Sequence, residues 1–597
     1  MITLLSRPWA FGLAWLGCFA MSPQLAGDEP PAAADEPAIS LFDANPLFLS
    51  EIELPVAAEQ LADLADAAAA GRPRSGAAAD GVSLLLVRAA FKAAGEAEFS
   101  LTGDGPAGRL AKLSDLDAAP RTVATIPTKD GRHAAFAVYV PPEGFGRRHA
   151  GEKVFSRQVS VAVRFWRGKA DRERGPPDAE HAATVEVVRP PAVLIHGLYH
   201  DPAIAWQTPP PKDIGTATME QALAARGFRV FLVDYAATNG KSGSGPSSLQ
   251  DNQQVVWSNK GGIRDALAAY RKLGYAATQA DVVGHSMGGL LTRAYVKGKR
   301  LEAGDRRLEE EKKKKSDLQP PASSLQPSSW YLRPDNFRQG DVNRLITMCT
   351  PHQGSELVRL LLRLGDSAKK LDPKKGGDAE VLLRLFDLAY GVSTGAFTDQ
   401  ELFSPAIAAL GPTPVPCHAI ACTAAEEDFG GFNGVYRWNF LTMMLLSPPE
   451  LLKALLEHPD IDQPGDAAKI VAFAAEHGHL KSGIVPKAVA ALMGRAVAET
   501  SDDATRRQYD FGAGLFAATV FAGRPHDGAV AEPSALGGLK PPHVSTIPHV
   551  LHSFAPRYPA VQRRVVELLE GPDSNFAPHG FPALDRDQTG ATTEPKR

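Results

Sequence analysis

The sequence predicts an α/β fold: a mainly parallel sheet covered by helices, carrying helical cap insertions and preceded by a small all-β, sandwich-like domain. Two patterns carry this. From about residue 190, short apolar runs alternate with amphipathic stretches at helical spacing, as in a sheet with helices on both faces. Before it, over 81–189, the β-rich runs VSLLLVRAAF, AEFSL, RTVATI, AAFAVYV, QVSVAVRFW and ATVEVV are separated by TGDGPAG, TKDG and PPEGFG, which reads as a β-sandwich.

A chain of 597 residues exceeds what one hydrophobic core supports, so several packed units are expected. Its 44% apolar and 22% charged residues are ordinary for globular proteins and exclude a wholly disordered or collagen-like chain. Lys plus Arg (64) nearly balances Asp plus Glu (68). No basic field is therefore offered to nucleic acid. The longest apolar run, 8–20, is too short to span a bilayer, which excludes a multipass membrane protein.

That run belongs to a leader. Arg7, the apolar stretch and the small residues after it have the form of a signal peptide over 1–27, cleaved after Ala20 or Ala26, so the protein is expected to be exported. Cys18 in WLGC resembles a bacterial lipoprotein signal, but Trp15 stands where a small aliphatic residue belongs, so a lipid anchor is the second reading. Residues 28–80, rich in Ala, Pro, Asp and Glu, read as a largely disordered linker with one short helix at 56–70. Cys349, Cys417 and Cys422 would remain after cleavage. A strand over VPCHAIAC holds Cys417 and Cys422 roughly 16 Å apart, beyond the ~7 Å reach of a disulfide. No spacing suggests structural zinc, and no cofactor is expected.

In the α/β region, which spans 190–570, strands are predicted at AVLIHG (192–197), RVFLVDY (229–235), ADVVGH (280–285), RLITMC (344–349) and VPCHAIAC (415–422). Helices are predicted at 218–227 and 262–275 and after Ser286. Three insertions interrupt it: a solvated, mobile loop at 300–333 containing EEEKKKK, helical stretches at 355–410, and an apolar helical cap at 429–523. The tail, 571–597, reads as disordered.

The chemistry centres on Gly284-His285-Ser286-Met287-Gly288. As a bare G-x-S-x-G string it is weak; its place between an apolar strand and a helix gives it weight. Such a turn exposes the Ser286 hydroxyl on a sharp backbone, with Gly284 and Gly288 relieving the crowding. A hydroxyl needs a base to take its proton and donors where charge develops on the attacked carbonyl. The N–H of Met287 is one donor. The loop after AVLIHG supplies the other, with Leu198 the candidate and Tyr199 next; His196 is expected to hold the loop.

These residues resemble a lipase or esterase of the α/β-hydrolase superfamily. The strings AVLIHGLYHDPAIAW, VVGHSMGGLLTRAYV, RLITMCTPHQGSEL, PHDGAVAEPSAL and LHSFAPRYPAVQRRVVELL are similar to that family's oxyanion strand, nucleophile elbow, T-P-H-x-G-S loop, acid loop and terminal histidine segment. The family order is Ser, acid, His. The resemblance implies Asp527 as the acid, with Asp428 the alternative just after the strand VPCHAIAC. It implies His552 as the base, followed by an amphipathic helix, with His549 the alternative. His352 fits a structural or substrate-side role, and Ser355 a helix cap.

The expected activity is hydrolysis of carboxylic esters, lipid or acyl esters above all, with peripheral contact at a lipid surface in view. Acyl transfer or amide cleavage by the same three residues, and a non-catalytic binding protein with a relic core, are the alternatives. The calcium ion of some related lipases finds no ligand set that the sequence identifies.

Overall fold

A computed structural model describes residues 39–582, apart from 46–53, 147–154, 169–174, 211–214, 241–245, 298–330, most of 360–394, 429–519 and a few shorter gaps. The signal segment, Cys18, the body of the 429–523 cap and 583–597 lie outside the described residues.

The first strands are β1 (Ile39–Asp43), β2 (Gly76–Ala78), β3 (Leu85–Phe91), β4 (Gly95–Gly103), β5 (Arg109–Ala111), β6 (Val123–Ala124), β7 (Ile126–Pro127), β8 (His133–Val140), β9 (Ser156–Arg167) and β10 (Ala179–Val188). There follow β11 (Ala192–Ile195), β12 (Val230–Val233), β13 (Tyr275–Ala276), β14 (Ala280–His285), β15 (Val342–Met348), β16 (Cys417–Thr423) and β17 (Val544–Pro548).

Two sheets form the sandwich, one in the order β1-β3-β8-β5 with β7 also on β8, the other β13-β2-β10-β9-β4-β6. Val87, Ala137 and Tyr139 of the first pack against Phe99, Val161, Val163 and Val185 of the second. The expected linker at 28–80 needs correction from residue 39 onward. β1 pairs antiparallel with β3, β2 pairs parallel with β10, and helix Leu61–Ala70 buries Leu64, Ala65 and Ala68. Five residues of ISLFD are enough to complete a sheet edge, though the Ala/Pro-rich composition around them reads as unstructured.

The sandwich does not end at 189 either, because β13, from far along the chain, pairs parallel with β2. The join is polar as well. Buried Asp80 accepts from the hydroxyl and N–H of Ser83 and the N–H groups of Val82 and Gln279, and Ser83 Oγ accepts from Thr278 N–H at 2.8 Å.

The remaining strands build a parallel sheet in the order β12-β11-β14-β15-β16-β17. Successive side chains point to opposite faces, and the apolar runs divide accordingly. Val193, Ile195, Val282, Leu345 and Ala419 face helices Ile263–Lys272 and Met287–Lys297. Ala192, Leu194, Val283, Ile346 and Ile420 face helices Met219–Ala224 and Pro559–Glu570. Burial on both faces explains why these strands are apolar throughout.

Two further boundaries differ from expectation. In the 300–333 loop only 331–333 are described, and Tyr331 there is buried against Tyr295. In the tail expected to be disordered, 571–582 pack: Ala577 exchanges two main-chain hydrogen bonds with Cys417, and Phe576 and Phe581 are buried. Two aromatic anchors hold a segment whose polar composition hides them. The 429–523 insertion leaves and returns at one place, since Ala424 N–H meets the carbonyl of His526 at 2.7 Å beyond the end of β16.

Candidate active site

Ser286 sits between β14 and helix Met287–Lys297 with φ 52, a left-handed conformation that non-glycine residues adopt only at a cost. The turn is tight enough to require its glycines. A Cβ at Gly284 would stand 2.5 Å from the Gly289 nitrogen, and one at Gly288 2.2 Å from the Ile195 carbonyl oxygen.

His552 opens the short helix His552–Arg557. Its Nε2 lies 2.8 Å from Ser286 Oγ, and its Nδ1 2.8 Å from Asp527 Oδ2. A carboxylate accepts only, so Nδ1 carries the proton and Nε2 offers its lone pair to the Ser286 hydroxyl. Asp527 is in turn fixed: its Oδ1 accepts the N–H groups of Ala529 (3.0 Å) and Val530 (2.8 Å), and its main-chain carbonyl accepts the His552 N–H at 2.8 Å. Asp527 is fully buried, whereas the His552 side chain keeps 13% of its surface, so solvent reaches the imidazole and not the carboxylate.

The alternatives from the sequence meet each other. His549 Nδ1 lies 3.2 Å from Asp428 Oδ2, with the His549 side chain 60% exposed. Asp428 also accepts the N–H of Ala425. The sequence offered two acids and two histidines, and the structure sorts them into separate pairs.

Met287 is the first residue of its helix, where an N–H has no intrahelical acceptor. Ile195 of β11 pairs in register with Gly284, which brings the loop bearing Leu198 beside the elbow. Tyr199, the next candidate donor, is excluded because its N–H is given to the carbonyl of Asn239 at 3.1 Å. His196 is buried, stacked on Tyr235 at 4.2 Å, and its carbonyl accepts the Tyr235 hydroxyl.

His352 takes no part in these contacts. Its Nδ1 faces Arg293 at 3.1 Å and its Nε2 Thr347 Oγ1 at 3.0 Å, so it is a neutral acceptor for a buried guanidinium. Burial, then the Arg293 charge, pushes its pKa well down. Ser355 caps the helix after it, accepting the Val358 N–H at 3.2 Å, and donates to the Ala529 carbonyl at 2.6 Å, so it also steadies the acid loop.

Two neighbours of the site were not singled out from sequence. Buried His285 donates Nε2–H to the main-chain carbonyl of His552 at 3.0 Å, and burial holds its imidazole neutral. Cys349 places its sulfur so that one ligand atom each of Cys349, Asp527 and His552 lies within 4.8 Å of the others. Its thiol is pushed up by burial, and the other two groups are already joined by a hydrogen bond, so the trio suits a held proton better than a cation. Cys349, Cys417 and Cys422 are all free and buried.

Among solved structures, the chain is similar to the mature lipase BlEst2 of Bacillus licheniformis (13% identity, 64% of this chain and 91% of that chain, TM-score 0.26). It is also similar to the Staphylococcus hyicus lipase (13%, 64% and 92%, TM-score 0.26) and to EstA from Clostridium botulinum (13%, 64% and 86%, TM-score 0.27). No curated protein sequence matches it. A family model described as the alpha/beta hydrolase family matches residues 192–492, half of the chain, including β11, the elbow and β16. The chain thus belongs to the alpha/beta hydrolase family.

Proposed function

We propose that the protein hydrolyses carboxylic esters through an acyl-enzyme on Ser286, with His552 as general base and acid and Asp527 fixing the imidazole. The observation that carries this reading is the unbroken relay in which Asp527, His552 and Ser286 are linked by two contacts of 2.8 Å. His552 Nε2 takes the Ser286 proton as Oγ bonds to the ester carbonyl carbon, and the carbonyl oxygen gains the negative charge. The N–H groups of Leu198 and Met287 receive that charge. As the C–O bond to the alcohol breaks, His552 returns the proton to the leaving oxygen. Water then repeats the sequence on the acyl group and frees the acid.

Lipid esters are the proposed class, supported by the apolar sequence FLTMMLLSPPELL in the 429–523 insertion. Export rests on the leader-like residues 1–27. No helix among the described residues is long and apolar enough to cross a membrane.

The test is hydrolysis of p-nitrophenyl esters from acetate to palmitate by protein lacking 1–27, beside Ser286→Ala. Loss of the nucleophile should cost roughly 10⁴–10⁶ in kcat, and the chain-length optimum reports whether long acyl groups are preferred. Wild type and variant equally inert on every ester would reject the proposal; faster product formation with an added alcohol would mark acyl transfer.

A further inference from the structure

The loop that carries Leu198 is stitched down by one side chain that sequence reading passed over. Asn239, fully buried in the turn after β12, directs its amide nitrogen at the carbonyl oxygens of Gly197 (3.1 Å) and His200 (2.7 Å). Its own main-chain carbonyl accepts the N–H of Tyr199 at 3.1 Å, and the His200 N–H turns back to the Gly197 carbonyl at 3.4 Å. Residues 197, 199 and 200 are therefore committed, while the Leu198 N–H between them has no acceptor among the described residues. The loop also lies against the nucleophile, since a Cβ on Gly197 would fall 2.8 Å from Ser286 Cβ. Tyr199 is held at φ 57, a conformation that costs an ordinary residue about 1–2 kcal/mol and that needs an external hold.

We propose that Asn239 is a positioning residue that fixes the Leu198 amide beside Ser286 and so preorganises the oxyanion hole. This rests on the Ser286 reading above. The side-chain amide nitrogen, with two hydrogens to give, also lies 3.3 Å from His196 Nδ1, but its two shorter contacts are the carbonyls on either side of residue 198, so turning that peptide away breaks at least one bond. A donor held in place stabilises developing charge at no reorganisation cost, and a loose one does not. An aspartate would set a carboxylate against two carbonyl oxygens; an alanine would take the side-chain donor away from both of them.

The experiment compares Asn239→Ala and Asn239→Asp with wild type and Ser286→Ala, in the full chain. It reads kcat and KM on one p-nitrophenyl ester, affinity for a trifluoromethyl ketone of the same acyl length, and Tm. The ketone forms a tetrahedral adduct with serine and so probes the hole; the matching secondary alcohol, which cannot, probes the acyl site alone. The expected result is a fall in kcat of roughly 10–10³-fold, a parallel fall in ketone affinity, and KM and alcohol affinity within about threefold. The isosteric Asp variant carries the test if the Ala variant does not fold. A lowered Tm with kcat and ketone affinity intact, or a rise in KM in place of the loss in kcat, overturns the proposal. Those results beside an active, Ser286-dependent wild type reject the role of Asn239 only. A wild type that cleaves no ester and takes no ketone rejects the Ser286 reading with it.

Discussion

His285 donates its Nε2–H to the main-chain carbonyl of His552 across 3.0 Å, so the residue before the candidate nucleophile holds the residue that carries the candidate base. A net hydrogen bond is worth about 0.5–1.5 kcal/mol, and each 1.36 kcal/mol of barrier is tenfold in rate. His285→Leu should therefore lower kcat about threefold to tenfold with KM little changed, and steady-state kinetics on one ester checks it. Unaltered kcat in the folded variant would show that the carbonyl needs no such hold.

The two acid–histidine pairs should separate cleanly in activity. Asp527→Asn turns the group facing His552 Nδ1 into one that can favour the wrong tautomer, and should cost roughly 10³–10⁴ in kcat. Asp428→Asn and His549→Gln touch a pair whose histidine is largely exposed, worth little, and should leave kcat within about threefold. The reverse ranking would hand the acid role to Asp428.

Acid stability depends on buried histidines. His418, on β16, bonds through Nδ1 to the Asn575 carbonyl (2.8 Å) and through Nε2 to Ser545 Oγ (2.9 Å), and burial pushes its pKa down to about 4. Above pH 6.5 it is neutral folded or unfolded. Between 6.5 and 4 the unfolded chain takes a proton that the folded one refuses, so this group's contribution to stability is lost as pH falls. The loss approaches about 3 kcal/mol near pH 4. Urea midpoints at pH 7 and 4.5 should therefore differ less for His418→Gln than for wild type; equal differences would remove His418 from the account.

The packed tail gives a stability prediction. Phe581 is buried, with its ring against His352 at 3.8 Å and beneath the Arg293 guanidinium at 4.9 Å. Phe581→Ala should cost about 3–5 kcal/mol, measured by chemical unfolding. A neutral Phe581→Ala would return the segment to the solvated tail that its composition suggests.

Candidate site residues that sit in a local pattern were legible in the sequence. Ser286 was found by a strand, a turn and a helix in immediate succession, and Asp527 and His552 by short strings around them. The parallel strands announced themselves by short continuous apolar runs alternating with amphipathic helical stretches. What stayed hidden depends on partners distant in sequence. β13 is two residues long and joins a sheet built almost two hundred residues earlier; a pair of residues has no period to read. Asn239 looks like any turn asparagine until the chain brings Gly197 and His200 to it. The sequence favoured Asp527 over Asp428 through family resemblance, its Gly neighbour and its nearness to the histidine segment, while which carboxylate faces the histidine at the elbow is a matter of three-dimensional geometry.

The hydrogen bond between Ala424 and His526 has a consequence for how such a protein can change. Closing a loop costs only about 0.6 kcal/mol more for each doubling of its length. The length of chain between Ala424 and His526 accordingly adds little to the closure cost, provided the two ends still meet. The far end carries straight into Asp527, so the return of the insertion and the candidate acid share one anchor. A change in the number of residues between those two points therefore need not shift the contact that sets Asp527 in place, as a tool keeps its handle when the bit is replaced.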